Sequence, residues 1–207
     1  MKVYFVTNND KKIEESKDRL ERFIERVPSQ ERVRLQIELG IVKRHLDELL
    51  ATDIEKIVRK KALEAYRIVH LPCVVEHGGL YLDAWRSPHE KPALLGGIGQ
   101  IVWDSVGDRM CAFLRNEDAR GAEAQSIVGY CDGMRIRVYS GITRGEITDH
   151  ARGQQGFRWD PIFKPDGCDL TYGEMAPEKK RETSPDEQAW NRFFEALKEE
   201  VLKSRRK

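Results

Sequence analysis

The sequence predicts a mixed fold, α/β or α+β, built on a β-sheet that contains both parallel and antiparallel strands. The chain of 207 residues opens with a short strand, a polar turn and an amphipathic helix. Strand and helix patterns alternate through its first half, and three β-rich runs follow closely between Gln125 and Ile147. Alternation is typical of parallel pairing and closely spaced runs are typical of hairpins, so one sheet is expected to contain both.

The opening residues predict the first strand and the first helix. Residues 2–6 form a short β-rich run, and apolar residues recur with helical spacing from Asp10 to about Val27. Asn8 or Asn9 can cap this helix. Such a helix start suits an anion, and capping alone is the alternative explanation for the asparagines.

The remaining elements follow from the same patterns. They are a strand at 33–39, a helix at 53–70, a strand at 73–75 that leads into Glu76-His77-Gly78-Gly79 and a second β stretch, the β-rich runs SIVGYC, RIRVYSG and ITRGEIT, a loop with a short helix at 171–183, and a helix at 185–202. Prolines and paired glycines predict an irregular segment at 86–99. Asp132-Gly133 predicts the hairpin turn between the first two β-rich runs.

Composition narrows the classes of function. The chain has 36 Lys+Arg against 35 Asp+Glu, a net charge of +1, so no strong positive field is available to hold a long nucleic acid. No stretch is apolar over the length needed to span a membrane. Four scattered cysteines without a C-x-x-C pair are expected to be reduced thiols, packed mostly as small hydrophobic residues. We therefore expect a cytoplasmic protein with no membrane partner.

Charged residues at the predicted junctions point to phosphate chemistry. Three carboxylates and three lysines lie near loops or on helices: Glu15, Asp53 and Glu76, with Lys12, Lys61 and Lys180. Carboxylates buried together would repel one another unless a cation such as Mg²⁺ held them ionised. A carboxylate–Mg²⁺ centre flanked by lysines can stabilise the dispersed negative charge of a phosphoryl transition state. The alternative is that each charge lies on a solvated surface.

A second cluster lies at residues 153–163. Two glycines, two aromatic residues and an acid follow one another there: Gly153, Gly156, Phe157, Trp159 and Asp160. Stacking of a base on an aromatic ring is worth about 1–3 kcal/mol and discriminates poorly between bases, so a polar group would have to supply identity. The alternative is a core aromatic pair beside a turn.

Six motifs follow one another in a recognisable order. They are Thr7-x-Asn9-x-x-Lys12-x-x-Glu15; Asp53 leading into Lys61-Ala62-x-x-Ala65; Val75-Glu76-x-x-Gly79-Leu80; Arg120-x-Ala122; Gly156-Phe157-x-Trp159-Asp160-Pro161-Ile162-Phe163; and Thr171-x-x-Glu174-Met175 with Lys180-x-x-x-Ser184. From Val3 to about Leu197, the chain resembles the inosine/xanthosine triphosphate pyrophosphatase family. Each motif alone is weak evidence, whereas their common order and spacing strongly indicate the fold.

The resemblance implies an elongated α/β fold with a mixed sheet and flanking helices, in which two lobes of a single domain spanning 1–207 surround a central nucleotide cleft. It also implies a homodimer that uses Mg²⁺ to hydrolyse a purine-like nucleoside triphosphate to the monophosphate and pyrophosphate. The implied phosphate-binding residues are Thr7, Asn9 and Lys12, assisted by Lys61 and Lys180. Glu15, Asp53 and Glu76 would organise metal or water, Phe157 would stack on the base, and Trp159, Asp160 and Ser184 would shape the base site.

The first departure from the family pattern is His77, which stands where the family usually has a second acid after Glu76. His77 could accept a proton, or bind a metal as neutral imidazole, but it cannot supply negative charge to Mg²⁺. It is therefore a candidate catalytic residue beside Lys12, Glu15 and Glu76. The alternative is a nucleotide-binding or regulatory protein that has lost catalysis; a scaffold without a ligand is a third possibility.

Two further departures concern the base site. The family's Ser-His-Arg is Ser184-Pro185-Asp186 here, which with Glu187 is typical of a capped helix start. Without the residues that read an oxo-purine, an altered base preference is expected, and Asp186 would favour an amino group if it faced the pocket. The family's glycine after Phe157 is Arg158. A glycine permits an unusual backbone angle, whereas this arginine could fill the pocket edge, pair with a phosphate or point into solvent.

Overall fold

The computed structural model describes residues 1–85, 95–114, 119–156 and 158–204. Two predictions lie partly or wholly outside these ranges: the irregular segment 86–99, which is described only from Leu95 onward, and the stacking role of Phe157. None of the helices in the described ranges has the length and apolar character needed to cross a bilayer.

Helices and strands occupy most of the described chain. The strands are β1 (Lys2–Val6), β2 (Glu38–Val42), β3 (Cys73–Leu82), β4 (Leu95–Gly96), β5 (Gly121–Cys131), β6 (Ile136–Ile147) and β7 (Phe163–Pro165). The helices are α1 (Asp10–Arg26), α2 (Ser29–Arg32), α3 (Ile54–Val69), α4 (Gly99–Val106), α5 (Pro177–Thr183) and α6 (Pro185–Ser204). Both long helices of the first half and the final helix were predicted within a few residues of these bounds.

Within the described residues the strands form one mixed sheet in the order β2-β1-β3-β5-β6-β7, and β4 pairs with β3. β1 pairs in parallel with β2 and β3, whereas the remaining pairs are antiparallel. The predicted mixed α/β fold is therefore confirmed. The division into two lobes stays a prediction.

Helices cover both faces of the sheet. α1 and α6 pack on one face, where Trp190 contacts the ring of Phe5 edge-on with 5.1 Å between centroids. α3 packs on the other face through Ile54, Val58 and Ala62. All four cysteines are free, and three of them are buried, as the sequence predicts. These layers leave the middle of β3 and β5 as the floor of a cleft between helix ends.

The strand predicted at 33–39 is wrong. β2 begins at Glu38 instead, in parallel register with the five residues of β1. The amides of Arg34 and Leu35 both donate to the carbonyl of Glu31, so this part of the chain closes a turn after α2. The alternation of apolar residues at 33–39 therefore does not mark the buried face of a strand, because Val33 is 82% exposed.

The breaks predicted within β3 and within β6 are also wrong. β3 pairs with β5 continuously from Cys73 to Leu82, through the paired glycines, and β6 runs unbroken from Ile136 to Ile147. The glycines permit close approach here rather than a turn, because a β-carbon on Gly79 would overlap the backbone oxygen of Gly96.

Gly141 seats the start of α6 on the sheet, and its replacement tests that packing. A β-carbon at Gly141 would overlap the backbone oxygen of Pro185. We expect Gly141→Ala to lower the free energy of unfolding by about 1–3 kcal/mol, as overpacking usually does, in urea denaturation followed by circular dichroism. Gly78→Ala is the matched control, because Gly78 and Gly141 pair with Ser126 from the two neighbouring strands. A β-carbon on Gly78 would lie 3.6 Å from the Gln125 backbone oxygen, which is an ordinary contact. An unchanged midpoint for Gly141→Ala would contradict this packing.

Candidate active site

A cleft on the sheet gathers most of the predicted site residues. One of its two pockets is called the main pocket here because most of the predicted site residues line it; its lining includes Asn9, Lys12, Glu15, Glu76, His77, Trp159, Asp160, Lys180 and Ser184. An adjoining basic pocket is lined by residues that include Thr7, Asn9, Lys12, Arg44, Lys61 and Arg158. The two pockets share Asn9, Lys12 and Glu76, so they form one continuous cleft.

The turn between β1 and α1 positions Lys12. Asn9 is the N-cap of α1, and its side-chain oxygen accepts a hydrogen bond of 3.1 Å from the Lys12 amide. The Thr7 hydroxyl accepts a bond of 3.2 Å from the Asn9 amide. These contacts confirm Asn9 as a cap and place Lys12 in the first turn of the helix, where the helix dipole also favours an anion.

Glu76 is a buried carboxylate in the middle of β3. Its oxygens lie 3.3 Å from the Lys12 ammonium and 3.0 Å from the indole N–H of Trp190, which donates to it. Burial by itself raises the pKa of Glu76, but the positive charges of Lys12 and Arg19 outweigh it, so the net shift is downward. Glu76 is therefore ionised and held in place from two helices.

His77 projects to the opposite side of β3, towards the loop before α3, because successive strand residues alternate in direction. Its Nδ1 lies 3.4 Å from a carboxylate oxygen of Glu48, and its Nε2 lies 3.1 Å from the carbonyl oxygen of Gly97. Both of these oxygen atoms are hydrogen-bond acceptors. The hydrogen bond from His77, together with the charge of Lys61, holds the pKa of Glu48 well below its usual range despite partial burial.

Lys61 adds a second partly buried ammonium group to the basic pocket. Its Nζ lies 2.8 Å from Glu48. Burial lowers the pKa of Lys61, and the nearby charge of Lys12 lowers it further, while Glu48 opposes the shift. The two lysines therefore repel one another across the pocket, and an anion placed between them would relieve that repulsion.

The opposite end of the main pocket contains an aromatic and polar group. Lys180 Nζ lies 2.6 Å from the Asp160 carboxylate and 5.1 Å from the centre of the Tyr172 ring. Trp159 precedes Asp160 and also lines the pocket. Trp159, Tyr172 and the charged pair thus all line this pocket. Phe157 lies outside the described residues.

The start of α6 differs from the predicted capping box. The helix begins at Pro185, as expected, but the Ser184 hydroxyl donates to Asp186. Glu187 accepts from Arg19 and Arg22 instead of bonding back to the cap. The physical reason is the buried guanidinium of Arg19, which also pairs with Asp186. Asp186 faces the main pocket, but its two oxygens are held by Arg19 and Ser184.

The three predicted acids are not brought together. Glu15 lines the main pocket and lies 3.3 Å from Arg19; burial raises its pKa, with Arg19 opposing that shift. Asp53 lines neither pocket, and its carboxylate caps α3 by accepting a bond of 3.2 Å from the Lys56 amide. No cluster of three or more His, Cys, Asp or Glu suited to a metal occurs in the described ranges. Glu15 and Glu76 both line the main pocket, and one or two carboxylates together with substrate phosphates are a common ligand set for Mg²⁺.

Sequence reasoning missed two groups in the cleft. Glu48 is in a loop without regular secondary structure, and only its contacts with Lys61 and His77 reveal its place. Ser126 is buried, lines the main pocket, and its hydroxyl has no hydrogen-bond partner among the described residues. A serine within the apolar run SIVGYC was the available signal for Ser126, because buried hydroxyls normally have a partner.

The fold and the cleft define a mixed α/β protein with a basic pocket and an adjoining pocket lined by aromatic and charged side chains. The chain belongs to the Ham1 family, whose model matches residues 3–196. It is 33% identical to the "dITP/XTP pyrophosphatase" of Methanopyrus kandleri over 203 residues, which cover 97% of this chain and 98% of that protein. It is 34% identical to "Inosine triphosphate pyrophosphatase 2" of Trypanosoma cruzi over 151 residues, covering 70% and 72% of the two chains.

Solved structures share the fold. The structure of a HAM1 protein from Coxiella burnetii superposes with a TM-score of 0.69 at 21% identity, covering 95% of this chain and 99% of that chain. A likeness at this identity supports the architecture alone. The predicted family resemblance is confirmed by the family match and by the relatives.

The pairing of Asp186 with Arg19 predicts an acid-sensitive contribution to stability. The charges of Arg19 and Lys180 outweigh burial and lower the pKa of Asp186 to about 2, from an ordinary value of 3.8. A carboxylate with a lowered pKa stabilises the fold above its ordinary pKa, and this contribution is lost as the pH falls towards the folded-state value. We expect Asp186→Asn to lower the free energy of unfolding by about 1–2 kcal/mol at pH 7, because the side chain is partly exposed, and by less at pH 2.5.

Urea denaturation at pH 7 and at pH 2.5 measures this difference. Asp18→Asn is the matched control, because Asp18 pairs with Arg22 on the exposed side of α1, where its side chain is 54% exposed. An Asp186→Asn deficit of equal size at both pH values would contradict the role assigned to the charge.

Proposed function

We propose that this chain hydrolyses a nucleoside triphosphate to the monophosphate and pyrophosphate. One observation carries the proposal: Lys12 and Lys61 face the same basic pocket beside the ionised carboxylate of Glu76. The names of the relatives, dITP/XTP pyrophosphatase and inosine triphosphate pyrophosphatase, support the same activity. Placement in the hydrolase class rests on these relatives together with this arrangement.

Phosphate binding is assigned to the basic pocket. Lys12 and Lys61 would neutralise charge on the phosphate oxygens, and the turn formed by Thr7 and Asn9 would orient the chain of phosphates. Water would attack, breaking the bond between the α-phosphate and the bridging oxygen, and pyrophosphate would leave with that oxygen. Fixed ammonium groups in a partly dehydrated pocket stabilise charge that develops on the leaving group.

Glu76 and Glu15 are the residues proposed to hold a divalent cation, which we propose to be Mg²⁺. Such a cation would supply neutralisation of the phosphate charge when bound. Glu76 is ionised and positioned by Lys12 and Trp190, so its carboxylate is ready to orient a cation or water. Glu15 lines the same pocket and is proposed to help orient the cation or the attacking water. Asp53, as the cap of α3, is left out of this proposal.

A purine-like ring with altered base preference is proposed for the other end of the main pocket. Trp159 offers an aromatic face, and Lys180 keeps donors beside Asp160 for an oxo group or ring nitrogen. Pro185 has no side-chain donor, and Asp186 is bound to Arg19 and Ser184. Stacking by Phe157, a homodimer and a cytoplasmic location are further proposals, made from the sequence resemblance and composition.

A panel of nucleoside triphosphates tests this activity through pyrophosphate release with Mg²⁺ and with excess chelator. We expect metal-dependent turnover, with different rates for inosine, xanthosine, guanosine and adenosine triphosphates. Lys12→Met is expected to lower kcat/KM by about 100-fold, because one preorganised charge is lost from the developing anion. Lys17→Met is the control, because Lys17 is exposed on the same helix. Absence of turnover for every nucleotide would overturn the proposal.

A binding protein without catalysis is the second candidate, favoured by the replacement of an acid by His77. The two functions predict opposite outcomes for His77→Asp. If His77 supports hydrolysis by donating to Glu48 and Gly97, the variant loses activity by about tenfold or more, since a negative charge then stands beside Glu48. We expect that loss. The second candidate would be established if wild type binds nucleotide in calorimetry without turnover and His77→Asp gains pyrophosphate release. His77→Asn, which is neutral, is the matched control for the added charge.

A further inference from the structure

Arg158 has a backbone conformation that does not suit an arginine. Its φ is 52°, in the left-handed region, where among the described residues only His70 and Leu95 are other non-glycine examples. A β-carbon crowds the following carbonyl in this conformation, so glycine would be the relaxed choice. Strained conformations of this kind cluster at active sites and ligand-binding sites, where the surrounding structure holds them.

The side chain of Arg158 lies at the junction of the two pockets. It is 17% exposed and lines both the main pocket and the basic pocket, which Lys12 and Glu76 also line. Lys12 comes from α1 and Lys61 from α3, whereas Arg158 comes from the turn before Asp160. Arg44, which also lines the basic pocket, comes from the loop after β2, so Arg158 brings a further segment of the chain and a further cationic side chain to this pocket.

Two carboxylates act on this guanidinium from nearby. Asp104 lies 3.8 Å from Nε, and its own side chain is 57% exposed. Glu48 also attracts Arg158 and is bonded to Lys61 as well. Burial lowers the pKa of Arg158 in spite of both carboxylates. A polyanion in the basic pocket would add a favourable charge interaction with this partly buried guanidinium.

We propose that Arg158 is a substrate-binding residue that grips the phosphate chain together with Lys12 and Lys61. This inference rests on the proposed function for the identity of the polyanion. A guanidinium presents a planar fork of N–H donors that matches two phosphate oxygens, which a lysine at the same position does not. Its place at the junction of the pockets also couples phosphate binding to the neighbouring Trp159 and Asp160.

Binding of inorganic tripolyphosphate, measured by calorimetry, tests the inference without requiring hydrolysis. We expect Arg158→Gln and Arg158→Gly each to weaken tripolyphosphate binding by about tenfold or more, and Arg158→Lys to weaken it less. Arg158→Gly removes the strained β-carbon, so its Tm is expected to exceed that of Arg158→Gln. Arg135→Gln is the charge control, because Arg135 is exposed in the hairpin turn between β5 and β6.

Two comparisons separate a binding role from a structural one. Asp104→Asn removes the nearby carboxylate and is expected to leave tripolyphosphate affinity unchanged or to tighten it. The inference is overturned if Arg158→Gln and Arg135→Gln both bind tripolyphosphate as tightly as wild type while Arg158→Gln and Asp104→Asn lower the Tm alike. That result would assign Arg158 to a surface ion pair with Asp104.

The outcome is distinguishable from failure of the proposed function. A wild type that binds tripolyphosphate through Arg158 but releases no pyrophosphate from any nucleotide would support the inference and overturn hydrolysis. If wild type hydrolyses nucleotides and Arg158→Gln matches it in both KM and tripolyphosphate affinity, hydrolysis is supported and the inference about Arg158 is overturned. If both hold, Arg158→Gln should raise KM more than it lowers kcat, because the contact is made in ground and transition states alike.

Discussion

The buried carboxylate of Glu76 is the constraint on which the site depends. A charge inside a sheet is tolerated only when it is paired and hydrogen-bonded, and here Lys12 and Trp190 satisfy it from two different helices. The same contacts that keep Glu76 ionised therefore draw α1 and α6 towards β3. Glu76 also lines both pockets, so the side chain that joins these helices to the sheet is also a candidate for the chemistry of the site.

Much of the fold could be predicted from local signals. The cap Asn9, the helical spacing after Asn9 and after Asp53, and the Asp132-Gly133 turn all depend on residues near one another in sequence, and all are present. The errors came from long-range effects. β2 takes its register from β1, and β3 continues through its glycines because β5 pairs with it along its length. Neither partner is visible in a local pattern.

The candidate site was predictable in composition but less so in geometry. Motif order brought Lys12, Glu76 and Lys180 into one cleft, as the structure also places them. The pairing of Lys61 with Glu48, and that of Arg19 with Asp186 and Glu187, join segments far apart in the chain. Such pairs carry no periodic signal, so the role of Glu187 at a helix start was misassigned to capping. The left-handed backbone at Arg158 could be anticipated, because the family has a glycine at this position and glycine permits an unusual backbone angle.

The alternation of β3 has a consequence for substitutions in the strand. Glu76 and His77 are neighbours in the chain, yet one contacts α1 and α6 while the other contacts the loop before α3. A substitution at position 77 therefore acts first on Glu48 and its loop, whereas one at position 76 acts directly on the contacts with two helices. Adjacent positions of one strand thus differ in which elements of the protein they perturb, although both side chains line the same cleft.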